Sequence, residues 1–429
     1  MTIQFIGTHL NRVLTNITQR TRPVKIFLLQ NDGTDVILRL NMTLIPRYFK
    51  ESGKSYFLFG PRGTGKSTWL RKIHPDAAWI ELLDSATYRS FLAYPERLEE
   101  YVELYRSKGV VIIDEIQRVP QLLSMVHKLM EKMPEMRFIL TGSSARKIKQ
   151  AGVDLLGGRA IIKTMHPFMA VELGNNFLIE KSLESGLIPL VWSSEHPAET
   201  AQGYIGLYLD QEIRAEGLIR RLDNFTRFLE TLSFSHGQLL SISEISRECQ
   251  VKRTTVDGYI EILEDLLIAK RVPVFSRRAK RALVAHTKFY FFDCGVYRSL
   301  RPRGPLDRPE NLLGQALEGL VYQHLQAWID YSGLDMRLFF WRTKAGSEVD
   351  FIVYGSDCFW AIEVKNSSTI RHSDLSPLRT FNEDYPESIP IFLYRGKEVT
   401  KQNGVLCLPV EIFLKKLDPT KQPTVEIFI

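Results

Sequence analysis

The chain has 429 residues, 44% hydrophobic and 24% charged, enough for about three soluble globular domains. No apolar run approaches the ~18 residues of a membrane span, and Met1 to Arg20 lacks an apolar signal core, so a cytoplasmic protein with no membrane partner is expected. Cys249, Cys294, Cys358 and Cys407 lie far apart without a C-x-x-C pair, which argues against a zinc knuckle or a disulfide framework and for buried fillers. The net charge is +7, and Lys270 to Arg303 holds ten Lys or Arg against one acid, Asp293, a bias suited to polyanions or to a solvated basic face.

In chain order, residues 1–45 offer Val24–Leu29 and Asp35–Leu40 around Asn31-Asp32-Gly33, the pattern of a β-hairpin, with no chemistry attached. Tyr56 to Leu70 then reads as an apolar strand, a glycine-rich loop and a helix start. Gly60, Gly65, Lys66 and Ser67 fit G-x-x-x-x-G-K-[ST], the spacing of a phosphate-binding loop. Along Gly60, Pro61, Arg62, Gly63, Thr64, Gly65, Lys66, Ser67 and Thr68 the backbone amides would turn toward phosphate oxygens at a helix N-terminus. Lys66 would meet the outer phosphates and the Ser67 hydroxyl would join a Mg²⁺ shell, which implies ATP and Mg²⁺ as ligands.

Ala77–Leu83 reads as a second strand, and Val110–Gln117 as a buried parallel strand ending in Asp114-Glu115. At that strand end Asp114 would help hold Mg²⁺, and Glu115 would position or deprotonate the attacking water. Met136–Gly142 is a further buried strand, ending in Thr141-Gly142-Ser143-Ser144. Ser143 is the preferred polar residue facing the γ-phosphate and Ser144 the second, with Ser144 also suited to cap the next helix. Helix Ala145–Leu156 ends at Gly157-Gly158-Arg159, before strand Ala160–Lys163. Strand–helix repeats of this kind predict an α/β fold with a doubly wound parallel sheet and its ligand at the strand C-termini.

These motifs resemble the AAA+ ATPases. The resemblance implies that Arg159, which closes the helix after the polar strand end, reaches the ATP of a neighbouring subunit, with Arg146 as a weaker alternative. It also implies a homo-oligomer, a ring, with a hexamer among its sizes. Pro167 to Ser233 reads as helical and sits where that family carries its helical lid.

From Leu239 the pattern changes. Ser241–Cys249 is a short Ser-capped helix, Gln250–Arg253 a turn, and Thr254–Leu267 an amphipathic helix. Strands Ile268–Phe275 and Lys288–Phe292 follow, around the basic Arg277–Arg281. Helix–turn–helix plus a two-stranded wing is a winged helix. Lys252, Arg253, Thr254 and Thr255 would face a major groove and the wing would meet phosphates, or the domain braces a neighbour.

The last part opens with helix Asn311–Tyr331, where Glu318 lies among Gly314, Val321 and Leu325. A carboxylate on such a face is costly unless paired or metal-bound. Strands Leu338–Thr343, Glu348–Tyr354 and Phe359–Asn366 follow, and Glu363 and Lys365 share one strand face. With Asp350 and Glu318 they make three carboxylates and a lysine, the requirement for metal-dependent phosphodiester cleavage. The order resembles the PD-(D/E)XK nuclease fold, with Asp350 at its aspartate, Glu363 and Lys365 at its E-x-K and Glu318 at its helical glutamate. That resemblance implies Glu318, Asp350 and Glu363 as metal ligands and Lys365 as a catalytic lysine. Residues 45–410 also resemble prokaryotic AAA+-like ATPases with a nuclease-like C-terminal half, so DNA is an expected partner whether or not the domain cleaves it.

The expected organisation is an N-terminal extension (1–45), an ATPase core (46–168), a helical lid (169–235), a winged helix (236–303) and a nuclease-like α/β domain (304–429).

Overall fold

A computed structural model describes residues 26–27, 39–40, 45–144, 146, 160–209 and 222–428. The chain divides into two compact units, residues 1–47 and 48–429. In the first, β1 (Ile26–Phe27) pairs antiparallel with β2 (Arg39–Leu40), inside the two strands expected of a hairpin.

The second unit holds a five-stranded, all-parallel sheet of β3 (Tyr56–Phe59), β4 (Ala78–Glu81), β5 (Val110–Asp114), β6 (Arg137–Gly142) and β7 (Ile161–Thr164). Its order is β4-β5-β6-β3-β7. Val111, Ile112, Ile113, Phe138, Ile139 and Leu140 are fully buried, as continuous apolar runs covered on both faces should be. Because β6 lies between β3 and β5, its polar end falls between the glycine-rich loop and the acidic end of β5. Helix α1 (Lys66–Ile73) follows that loop and stops at His74, whose neighbour Pro75 disfavours a further helical residue.

Short helices succeed, among them α2 (Ile179–Ser185) and α3 (Pro197–Gly203). Helix α4 (Ile242–Cys249) is capped by Ser241, and α5 (Arg253–Asp265) buries Val256, Tyr259, Ile260, Ile262 and Leu263. Between them Gln250 takes a left-handed conformation (φ 55°), which tightens the turn.

Strands β8 (Ala269–Val272) and β9 (Lys288–Phe291) pair antiparallel, but the basic segment between them does not stand free as a wing. It runs along β10 (Met336–Arg342): the Phe275 amide donates to the Phe340 carbonyl (2.7 Å) and the Val284 amide to the Arg342 carbonyl (3.1 Å). Two forces hold it there. An edge strand carries unpaired donors and acceptors, and Phe275 is buried in an aromatic cluster with Tyr354, Phe359, Phe381 and Tyr385. Arg281 then pairs with Asp384 (2.9 Å) and Glu383 (3.2 Å), so part of the basic run is neutralised within the chain.

Helix α6 (Cys294–Leu300) leads to the long α7 (Pro309–Ser332). The C-terminal sheet adds β11 (Glu348–Gly355), β12 (Phe359–Val364), β13 (Ile389–Tyr394), β14 (Thr400–Gln402) and β15 (Val405–Pro409), in the order β10-β11-β12-β13-β15-β14. The α7 face is fixed to this sheet by stacking of Trp328 on Trp360, ring centres 5.2 Å apart.

Candidate functional site

The glycine-rich loop is built by its glycines. Gly63 (φ 79°) and Gly65 (φ 90°) take left-handed backbone angles, and Gly65 serves as the N-cap of α1. A Cβ on Gly60 would come within 2.5 Å of the Met165 carbonyl oxygen. The buried Lys66 ammonium donates to the Gly60 (2.6 Å) and Pro61 (3.3 Å) carbonyls, and the Thr64 hydroxyl to Pro61 (2.8 Å). The loop's outer face meets the following helical region: the Leu190 amide donates to the Gly63 carbonyl (3.3 Å) and the Tyr204 hydroxyl to the Arg62 carbonyl (3.1 Å).

Asp114 is buried at the end of β5 and is held by hydroxyl groups. Ser67 Oγ donates to Asp114 Oδ2 (2.9 Å), and Thr141 Oγ1 donates to Asp114 Oδ1. This bond brings the loop's serine and the strand's carboxylate together. Glu115 turns out of the strand with a left-handed backbone (φ 62°, ψ 46°), and its amide donates to Thr141 Oγ1 (3.2 Å). The Gln117 amide group donates to Glu115 Oε2 and to Ser143 Oγ (3.0 Å). Ser144 Oγ accepts the Arg146 amide (3.0 Å), and the Arg146 guanidinium pairs with Asp265 of α5 (2.9 Å). Arg159 lies outside the described residues.

Thr141 and Gln117 were not singled out from the sequence. Their signal was local: a hydroxyl ending an otherwise apolar strand, and an amide two residues past Glu115.

In the C-terminal sheet, Asp350 on β11, Glu363 on β12 and Glu318 on α7 are brought to one buried centre. A lysine from outside the expected set stands among them. Lys288 of β9, 2% exposed, contacts Glu318 (2.9 Å), Glu348 (2.6 Å) and Asp350 (3.0 Å). Tyr290, on the same strand face, donates to Glu318. Lys365 pairs with Glu363 (2.6 Å), and the Val364 amide donates to the other Asp350 oxygen (2.9 Å).

Burial pushes the Glu363 carboxyl up to about 8 and the Glu318 carboxyl up to about 7, with Asp350 adding to both. Burial alone would discharge Lys288, but Glu318, Tyr290, Asp350 and Glu348 hold its pKa well above the usual lysine range. The sequence signal for this role is a lone Lys beside the apolar Phe289–Phe292, which the neighbouring basic residues obscure.

The two centres differ in their fit to a divalent cation. At the loop, a serine hydroxyl and a carboxylate already in contact are the donor set that Mg²⁺ takes beside phosphates. In the C-terminal centre an ammonium already draws on Glu318, Glu348 and Asp350, and Asp350 has both oxygens engaged. Glu363 Oε2 is buried without a hydrogen-bond partner among the described residues, but one such oxygen falls short of the several a divalent cation needs, so as folded this set does not fit one. Among the described residues no group of three or more His, Cys, Asp or Glu is gathered to hold a metal.

Residues 52–174 match the family model described as AAA domain. That region, with its glycine-rich loop and parallel sheet, is thus similar to P-loop cores of the AAA type. Residues 176–307 and 313–413 match two domains of unknown function, DUF8612 and DUF4143. Uncharacterized proteins of Mycobacterium tuberculosis and Mycobacterium bovis are each 28% identical over 321 residues, covering 73% of this chain and 70% of theirs. Among solved structures, the replication initiator DnaA bound to AMPPCP and single-stranded DNA is 15% identical, covering 49% of this chain and 82% of its own, at a TM-score of 0.24. AMPPCP-bound DnaA from Aquifex aeolicus is 16% identical, covering 50% and 82%, also at 0.24. Overlaps this loose carry no inference. No helix among the described residues is long and apolar enough to cross a membrane.

Proposed function

We propose that the chain is an oligomeric, Mg²⁺-dependent ATPase whose nucleotide cycle governs an interaction with DNA. The observation that carries the ATPase reading is the Ser67–Asp114 contact at 2.9 Å, beside a loop whose lysine rests on its own carbonyls. Lys66 exchanges those carbonyls for phosphate oxygens. Ser67 and Asp114 would hold Mg²⁺, which would supply positive charge against the charge developing on the phosphates. Glu115 positions the attacking water, and Gln117 orients Glu115 while bonding Ser143. Arg159 completes a neighbour's site in a homo-oligomer. Lys252, Arg253 and Thr254 are exposed at the start of α5 and are the groups offered to DNA.

Lys66→Ala is expected to abolish nucleotide binding measured by calorimetry; retained ATP binding would sink the assignment. Glu115→Gln should still bind ATP and lose roughly 10²–10⁴-fold in turnover, the usual range for a general base. Phosphate release at the wild-type rate would remove Glu115 from that role.

Lys288 among the carboxylates favours a second reading of the C-terminal domain, as a nucleotide-gated binding module that cleaves nothing. Plasmid incubated with Mg²⁺ or Mn²⁺ should stay intact. Cleavage that is lost in both Asp350→Ala and Lys365→Ala would instead establish a nuclease.

A further inference from the structure

Helices α2, α3 and α6 border an open cavity of about 360 Å³, away from both carboxylate centres. Arg298, Arg301 and Arg303 line it, with Gln202 and Ser299 as neutral polar groups and Glu184 as the one acid. Arg301 is anchored: it pairs with Asp307 (2.8 Å) and lies 3.6 Å over the Phe234 ring. The Arg303 guanidinium donates to the Arg298 backbone carbonyl (3.2 Å), which ties Arg303 to the end of α6. The Nε atoms of Arg298 and Arg301 are buried without a hydrogen-bond partner among the described residues. Burial, then the like charge of Arg303, pulls Arg298 below the ordinary arginine range.

Guanidinium groups converging on one cavity repel each other, and an orphaned buried N–H carries its own desolvation penalty. Asp307 balances Arg301 alone, and Arg298 and Arg303 still face the same cavity. An anion with several acceptor oxygens relieves both costs, and the guanidinium fork matches phosphate in particular. The volume lies in the range of small-ligand sites and suits a mononucleotide.

We infer that this cavity binds a phosphoryl group of a nucleotide or of a nucleic-acid 5′ end, held by Arg298 and Arg303 with Arg301 as their fixed neighbour. The site also has a physical line to the phosphate loop. Helix α3 supplies Gln202 to the cavity and continues to Tyr204, whose hydroxyl holds the Arg62 carbonyl of that loop (3.1 Å).

The test uses the full chain carrying Lys66→Ala, so that the phosphate loop contributes nothing to the signal. Calorimetric titration with inorganic pyrophosphate and with AMP is expected to show binding. Arg303→Gln should weaken it about tenfold or more, as loss of a charge-assisted bond implies. Gln202→Glu, an exposed substitution that adds a negative charge, should abolish it without altering the melting curve. A 5′-phosphorylated oligonucleotide binding more tightly than its 5′-hydroxyl twin, with the difference erased by Arg303→Gln, would assign the phosphoryl to a strand end. Equal binding of the two twins beside retained AMP binding would assign it to a free nucleotide. No binding of pyrophosphate or AMP to the Lys66→Ala chain, or binding untouched by both Arg303→Gln and Gln202→Glu, would overturn the site.

Discussion

The phosphate loop and the C-terminal sheet each gather an aspartate, a glutamate and a lysine, and they use the lysine in opposite ways. At the loop, Lys66 rests on the Gly60 and Pro61 carbonyls, and hydroxyls of Ser67 and Thr141 hold Asp114. Neutral donors orient a carboxylate without cancelling its charge, so Asp114 stays attractive to a cation. In the C-terminal centre Lys288 supplies a full positive charge to Glu318, Glu348 and Asp350. The same residue types thus make an exchangeable site in one place and a closed ion cluster in the other. What decides between them is whether the partner of the carboxylate is a hydroxyl or an ammonium.

The largest test of that contrast is Lys288→Met. It leaves carboxylates buried without their cation, and losing one partner of a buried pair costs about 3–5 kcal/mol. Denaturant unfolding should show a loss of that size, and added Mn²⁺ should leave the wild-type midpoint unchanged. A wild-type midpoint that rises with Mn²⁺ and no longer does so in Asp350→Ala would break the distinction between the two centres.

Acid offers a second, smaller test. His324 on α7 is fully buried, with its ring bonded to the Ala170 amide and the Leu320 carbonyl (2.8 Å each), and burial lowers its pKa to about 4. A depressed folded pKa gives stability that is present above the unfolded value of 6.5 and lost as pH falls toward 4. At pH 5 the loss should be about 2 kcal/mol, from a gap of about 1.5 pH units. His127, near the parallel sheet, is 45% exposed. Amide exchange around α7 should therefore quicken on acidification before exchange in β5 and β6, and His324→Gln should remove part of that response, the rest belonging to His236, which is buried against Gly319 of α7 and whose pKa burial lowers to about 3. Equal acid sensitivity in both regions would remove the histidine from the explanation.

The smallest effect concerns the loop alone. Tyr204→Phe removes one hydrogen bond to the Arg62 carbonyl, worth about 1 kcal/mol. ATP affinity should fall a few-fold with the turnover rate retained. An unchanged affinity would mean that the following helical region does not help shape the loop.

Much of the phosphate-loop centre is legible because its parts are local. A glycine pattern, a strand ending in Asp114-Glu115 and a strand ending in Thr141-Gly142-Ser143 each lie within a few residues. The parallel sheet then lines up their ends. The division of labour at β6 was less legible: Ser143 was favoured, yet Thr141 is the residue on Asp114, and Ser143 receives Gln117. Strand alternation alone could not say which side chain points toward β5. The C-terminal centre was legible as carboxylates but not as a charge balance. Lys288 stands 62 residues before Asp350 and was hidden in a stretch read as basic surface. The path of residues 273–284 was equally hidden, since pairing with a distant sheet edge leaves no periodicity in the strand that is covered.

That covering segment has a consequence for how the molecule can be taken apart. A fragment beginning at residue 304 would keep the whole C-terminal sheet but leave behind Phe275, the backbone partners of β10 and Lys288. It would expose a bare strand edge and an apolar hollow where Phe275 had been, the surface that drives self-association. It would also leave Glu318 and Asp350 without the lysine they share. Such a piece should precipitate when expressed alone.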